Sequence, residues 1–91
     1  MIISLEEAKL YLKVDSDTEN ELITELINTS VEICEGILRY PLTDFEEVPE
    51  TVKQAVLYIT SNMYEKREEA NLKEVIDTVK NLLFSYRKES W

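Results

Sequence analysis

The sequence predicts an all-α protein with four helices in one domain spanning residues 1–91. Its 91 residues include one glycine and two prolines. No stretch alternates apolar and polar residues for long, as a half-buried strand would, and apolar residues instead recur at the three-and-four spacing of an amphipathic helix. A chain this short buries only about 60–65% of the surface that its unfolded form exposes. Neighbouring subunits would therefore be a natural source of further burial.

The first two helices have recognisable starting points. Ser4 and Glu7 stand three residues apart as in a capping box, so a short helix is predicted to follow Ser4 and to end near Lys13. The face of this helix that is predicted to point inward comprises Leu5, Ala8, Tyr11 and Leu12. A polar turn rich in N-cap residues comes next, and a long amphipathic helix is predicted from about Thr18 to Leu38. Its apolar face comprises Leu22, Ile23, Leu26, Ile27, Ser30, Val31, Cys34, Ile37 and Leu38.

Residues 39–48 are the predicted loop, because an extended Tyr-Pro segment is followed there by acidic residues around Phe45. Pro49 suits the first turn of a third helix, where its missing N–H costs nothing, and this helix is predicted to reach about Glu68. Asn71 can cap a fourth helix, with Glu74 three residues later. The apolar face of that helix comprises Leu72, Val75, Ile76, Val79, Leu82, Leu83 and Tyr86.

Residue types needed for much common chemistry are missing. The chain has no histidine, one cysteine and one glycine, which excludes a Cys–His nucleophile, a structural zinc site within one chain and a glycine-rich phosphate loop. Catalysis by carboxylates alone stays open, but no pattern positions such a pair. We therefore predict a protein that is not an enzyme and that uses no cofactor or metal.

One acidic segment superficially resembles a calcium loop. Asp15, Asp17 and Glu19 alternate as in the start of an EF-hand, but its sixth position is Asn20 instead of glycine and its twelfth is Leu26 instead of glutamate. The calcium interpretation fails at both diagnostic positions. We interpret these acids as helix caps favoured by the helix dipole.

Charge is unevenly distributed along the chain. Residues 1–50 carry 13 acidic and 3 basic side chains, whereas residues 51–91 carry 6 acidic and 7 basic ones. The acidic half repels nucleic-acid backbones, so a direct grip on DNA is not expected. It is either a solvated face or a surface toward a basic partner or a DNA channel. The candidates for such a face are Glu19, Glu21, Glu25, Asp44, Glu46 and Glu47.

The sequence shows no signal for a membrane or for export. The first residues lack a basic segment followed by a long apolar run. The longest apolar run, residues 55–59, is far below the roughly 18 residues that suggest a membrane span. We expect a soluble protein that is kept in a cytoplasm.

Four segments, in this order, carry a resemblance to a known family. They are Ile3 to Lys9 with Tyr11-Leu12, the Val14-Asp15 turn with the helix of residues 22–33, the stretch from Val48 to Glu68, and the closing Leu82-Leu83-Phe84-Ser85-Tyr86-Arg87. Together they resemble the head–tail connector (adaptor) family of tailed phages and prophages. The chain departs from the family pattern before the last helix, where a proline and small residues are usual, and only four residues follow Arg87.

This resemblance implies a structural role. It implies a ring of identical subunits beneath the portal, which binds portal on one side and a tail-proximal (stopper or tail) protein on the other and leaves a channel for DNA. Assembly would occur in the host cytoplasm, and the final position would be the virion head–tail junction. Candidate portal or inter-subunit contacts are Arg67, Arg87, Lys88 and Trp91.

Three of these candidates have a simpler alternative. A guanidinium group binds interface carboxylates well, but Arg67 and Arg87 could equally form ion pairs with a nearby glutamate. Trp91 could be an aromatic anchor for a partner pocket or a frayed end. For the whole chain, the alternative function is a small acidic regulatory or adaptor protein that binds a basic partner, for instance by mimicking the charge of DNA.

Overall fold

The computed structural model describes residues 3–65 and 72–86. The described residues form α1 (Leu5–Leu12), α2 (Asn20–Leu38), α3 (Glu50–Glu65) and α4 (Leu72–Leu83). Two short 3₁₀ helices, Leu42–Asp44 and Phe84–Tyr86, follow α2 and α4. No strand occurs among these residues. The predicted all-α class with four helices is therefore confirmed.

The predicted capping box starts α1. The backbone N–H of Glu7 donates to Ser4 Oγ at 3.0 Å, and the backbone N–H of Ser4 donates to Glu7 Oε1 at 3.3 Å. The helix ends because Lys13 adopts a left-handed conformation, with φ of 61°. The Lys13 N–H then donates to the Leu10 carbonyl at 3.2 Å. These bonds satisfy backbone groups that a helix end otherwise leaves unpaired.

The start of α2 differs from the prediction. It begins at Asn20, two residues after the predicted start, and Glu19 occupies the N-cap position without a capping bond from its side chain. The Asp17 carboxylate accepts from the side chains of Lys9 and Asn20 instead. The interpretation of Glu19 as a side-chain cap is wrong, because its carboxylate is bound by Tyr64 of α3.

The central pair of helices, α2 and α3, runs antiparallel. Tyr64, near the end of α3, reaches Glu19 at the start of α2. The last helix runs parallel to α2, because Tyr86 at its end meets Tyr40 just beyond the end of α2. Apolar side chains from all four helices and from Ile3 fill the core, including Ile23, Ile27, Leu38, Leu42, Val52, Val56, Ile59, Val79 and Leu83. Burial of such side chains is the main force that stabilises the fold.

Two residues predicted to face inward are substantially exposed. Tyr11 is 43% exposed and Leu82 is 41% exposed. The buried face of α4 is centred on Val75, Val79 and Leu83, and Leu82 lies about 100° around the helix from Leu83. Tyr11 lies about 60° around the helix from Ala8, the buried residue of α1. Among the described residues, no helix is long and apolar enough to cross a membrane.

A pair of hydroxyl groups interrupts the apolar contact between α2 and α3. Ser30 Oγ and Thr60 Oγ1 lie 2.8 Å apart and are almost completely buried. Each oxygen is also 2.8 Å from a backbone carbonyl one turn earlier, that of Leu26 or Val56. Two hydroxyl protons serve these three contacts, so one hydroxyl donates to its carbonyl while the other is free to donate across the helix pair.

This arrangement predicts non-additive effects of substitution. We expect Ser30→Ala and Thr60→Val each to lower the free energy of unfolding by about 0.5–1.5 kcal/mol, because each removes one partner of the pair. We expect the double variant to lose clearly less than the sum, since it leaves neither hydroxyl behind. Urea unfolding of the four proteins measures this. Strictly additive losses would show that the two hydroxyls do not interact.

Candidate assembly surfaces

The end of the protein where α2 stops is closed by an aromatic clamp formed by Tyr40, Phe45 and Tyr86. The Phe45 ring packs edge-on against both tyrosines, with ring centroids 5.4 Å from Tyr40 and 6.2 Å from Tyr86. The Tyr40 hydroxyl donates a hydrogen bond to the Tyr86 carbonyl. The clamp therefore joins the loop after α2 to the end of the chain that the structure describes.

A second contact fixes the same loop. The backbone N–H of Leu42 donates to Glu35 Oε2 of α2 at 2.8 Å, and the Leu42 side chain is fully buried. The predicted loop thus contains a 3₁₀ turn with a core residue, which the sequence pattern did not indicate. Three of the predicted partner-facing acids, Asp44, Glu46 and Glu47, project from this anchored segment and are exposed.

Burial, together with the nearby Asp44 carboxylate, raises the pKa of the Tyr40 phenol above its ordinary value of 10. The folded protein therefore holds this proton more tightly than the unfolded chain does. The stabilisation that follows is fully present below about pH 10 and is lost as the pH rises through the folded-state pKa. At neutral pH the phenol is thus protonated and able to donate to Tyr86.

We expect Tyr40→Phe to lower the free energy of unfolding by about 0.5–1.5 kcal/mol at neutral pH, through loss of this hydrogen bond. Between about pH 9 and pH 11, the variant should lose stability less steeply than the natural protein, because one shifted phenol is gone. Chemical unfolding across this range measures both effects, and Tyr11→Phe on α1 is the control. Identical slopes for all three proteins would contradict the assignment.

The predicted acids of α2 separate into two environments. Glu21 and Glu25 are exposed and lie on one face of the helix with Glu32, since the spacings of four and seven residues return to the same side. Glu19 lies apart from this stripe. Its carboxylate accepts a hydrogen bond of 2.6 Å from the Tyr64 hydroxyl, and its residue is partly buried. Glu19 therefore ties α2 to α3.

The opposite end of the protein carries a groove beside α1. The groove has a volume of about 690 Å³, and its apolar lining comes from Leu5, Leu10 and Val14. Lys9 and Asp17, which also line it, form an ion pair with an Nζ–Oδ1 distance of 2.8 Å. The hydrogen bond from Lys9, followed by that from Asn20, lowers the pKa of the Asp17 carboxyl. Helical periodicity in the sequence predicts neither the groove nor this ion pair.

The residues that the structure describes contain no candidate metal site. No group of three or more cysteine, aspartate or glutamate side chains in this part of the chain could hold a metal ion. Cys34 is completely buried, and burial, with a smaller contribution from Glu35, raises the pKa of its thiol to about 12. Its prediction as a small core residue is confirmed, and its thiol is chemically inert.

The four basic and aromatic candidates for partner contacts, Arg67, Arg87, Lys88 and Trp91, lie outside the described residues. Within the described residues, the candidate assembly surfaces are therefore the two ends of the molecule and the α2 stripe between them. These surfaces carry exposed acids and exposed apolar side chains.

Comparison with protein families identifies the family of the chain. A family model described as phage gp6-like head-tail connector protein matches residues 2–89, nearly the whole chain. The chain belongs to this connector family. The resemblance seen in the sequence is thereby confirmed. Searches of curated proteins and of solved structures returned no match.

Membership defines a structural role for this connector chain. It is a phage structural protein that acts as an adaptor at the head–tail junction, and the family implies assembly with phage portal and tail proteins in general. The helical fold of the described residues is compatible with that role. The surfaces of the connector are thus expected to serve contacts with other phage proteins.

Proposed function

We propose that this connector chain forms a ring of identical subunits between the portal and a tail-proximal stopper or tail protein, leaving a channel for DNA. The ring performs no reaction and needs no cofactor. Each subunit is one domain, which assembles in the host cytoplasm and ends at the head–tail junction of the virion. The observation that carries this proposal is the family match over residues 2–89.

The exposed acids of α2 are assigned to the channel. Glu21, Glu25 and Glu32 form one stripe, which extends about 16 Å along the helix at 1.5 Å per residue. A wall of carboxylates repels the phosphates of passing DNA, so the duplex slides without being held. Glu19 is excluded from this assignment because Tyr64 occupies its carboxylate.

The acids of the anchored loop are assigned to a partner. Asp44, Glu46 and Glu47 are exposed, and the aromatic clamp and the Glu35–Leu42 hydrogen bond hold their backbone in place. Pre-organised charges cost little conformational entropy on binding, and complementary charge increases the association rate. A basic surface on the portal or on the tail-proximal protein is the partner chemistry that fits.

The proposal also includes the four candidate partner contacts that lie outside the described residues. Arg67 is assigned to the ring or portal interface, and Arg87, Lys88 and Trp91 are assigned to portal attachment. Arginine and tryptophan are enriched among the residues that dominate interface energies. Removal of residues 88–91 is expected to weaken portal attachment, and unchanged attachment would exclude this segment from the interface.

Mixing the purified chain with purified portal tests the proposal. We expect a larger complex in sedimentation velocity and a ring of added density on the portal in electron microscopy. A chain that stays monomeric with portal and also inhibits a DNA-binding protein would contradict the proposal and favour the DNA-mimic function. A variant with Asp44, Glu46 and Glu47 changed to asparagine or glutamine tests the role of the loop acids. It should attach to portal more slowly than the natural chain, most clearly at low ionic strength.

A further inference from the structure

Two of the large apolar side chains stand out by their exposure, and they lie at opposite ends of the molecule. Leu10 of α1 is 82% exposed, and Phe84 after α4 is 70% exposed. The end of α1 is tied to the start of α2 through the Lys9–Asp17 ion pair, while Tyr86 is tied to Tyr40 beyond the end of α2. The 19 residues of α2 separate these ends by about 28 Å. The two side chains therefore cannot meet within one chain.

Each of these side chains has a charged neighbour one helical turn earlier, and the two charges are opposite. Glu6 precedes Leu10 by four residues, and Lys80 precedes Phe84 by four residues. Glu6 and Leu10 share one side of α1, while Lys80 lies in the last turn of α4 and Phe84 begins the 3₁₀ helix that follows it. Both charged side chains are exposed. Neither forms an ion pair within the part of the chain that the structure describes.

We propose that these two surfaces bind each other between adjacent copies of the chain. With α1 of one copy parallel to α4 of the next, Glu6 meets Lys80 and Leu10 meets Phe84 in the same register. The groove beside Leu10, with apolar walls from Leu5 and Val14, receives the Phe84 ring. Aromatic side chains in such pockets contribute strongly to interface affinity, and the ion pair at the edge fixes the register.

The proposed contact is heterologous, because each copy uses one patch at each end. Such a contact repeats from copy to copy and closes into a ring when the rotation allows it. The inference rests on the proposed ring and deepens it by naming the patch that each subunit presents to its neighbour. It assigns the remaining surfaces, the α2 stripe and the loop acids, to DNA and to other proteins.

Disulfide cross-linking tests the contact directly in protein assembled at high concentration or on portal. The double variant Leu10→Cys with Phe84→Cys should give a ladder of covalent oligomers on a non-reducing gel, since cross-linking needs Cα atoms within about 7 Å. The single variants Leu10→Cys and Phe84→Cys are the controls. Each should stay uncross-linked, because position 10 faces position 84 of the neighbour. Cys34 does not compete, since it is fully buried.

Charge exchange supplies a second, independent readout. Glu6→Lys and Lys80→Glu should each weaken assembly roughly tenfold or more, because each places like charges opposite one another. The double variant should recover most of that loss. Lys73→Glu is the matched control, because it makes the same charge change on the same helix. Lys73 lies two turns before Lys80, so in the proposed register it extends past the start of the neighbour's α1 and faces no residue of that helix. The variant should leave assembly nearly unchanged.

The outcomes separate this contact from the ring itself. Cross-linked ladders together with recovery in the double charge variant support the contact. A ring that assembles without cross-links, or that shows no recovery, overturns the contact and leaves the proposed ring standing. Failure of the unmodified chain to assemble, alone and with portal, overturns the ring and this contact with it.

Discussion

Replacing Ile59 with alanine is expected to lower the free energy of unfolding by about 2–5 kcal/mol. Ile59 is completely buried on α3, which, like α2, packs against each of the other three helices. The substitution removes apolar surface and leaves a cavity that rigid neighbouring helices fill only in part. Small domains are stabilised by only about 5–15 kcal/mol in total, so this one change removes a large share of the stability. Urea or thermal unfolding followed by circular dichroism measures it.

Leu10→Ala is the matched control for this prediction. It removes an apolar side chain of the same size, but Leu10 is 82% exposed. We expect a change within about 0.5 kcal/mol in the isolated chain. Equal losses for the two variants would contradict the described core. A single cooperative transition in both proteins would also support the proposal that the chain is one domain.

The second large effect concerns DNA. Changing Glu21, Glu25 and Glu32 to lysine converts the acidic stripe of α2 into a basic one and raises the charge of each subunit by six. We expect apparent affinity for duplex DNA at low ionic strength to rise by roughly 10–10³-fold, with a steep dependence on salt. In assembled particles, DNA release should slow, because the proposed channel wall would then attract phosphate. Fluorescence anisotropy at several salt concentrations and timed DNA release measure the two effects.

An equal charge change elsewhere provides the control for the stripe. The triple variant with lysine at Asp44, Glu46 and Glu47 changes the net charge by the same amount, at the anchored loop. We expect it to impair partner attachment while DNA release from particles that do assemble stays normal. Equal slowing of release by both triple variants would show that net charge alone acts, and that the α2 stripe does not line the channel.

Local patterns in the sequence predicted those parts of the fold that local contacts determine. The capping box of Ser4 and Glu7 involves residues three apart, and it is present as predicted. The core positions of α2 follow its period, since Ile23, Ile27, Cys34 and Leu38 are all buried. These features depend on helix geometry alone, which a single sequence reveals.

Contacts between residues far apart in the chain could not be predicted in the same way. Glu19 pairs with Tyr64 across 45 positions, and Tyr40 pairs with Tyr86 across 46. Only the packing of the helices brings these residues together, so Glu19 looked like another exposed acid. The groove beside α1 depends on the angle at which α1 leaves α2. Neither composition nor periodicity specifies that angle.

The aromatic clamp has a mechanical consequence for a protein at a head–tail junction. A pull on the chain beyond Tyr86 acts on the Tyr86 carbonyl, which the Tyr40 hydroxyl holds, and on a ring packed against Phe45. The load therefore passes into the loop and the end of α2 as well as along α4. The last helix would peel away only after the clamp opens. Tension applied at this end would thus be shared by several elements of the subunit before any one of them yields.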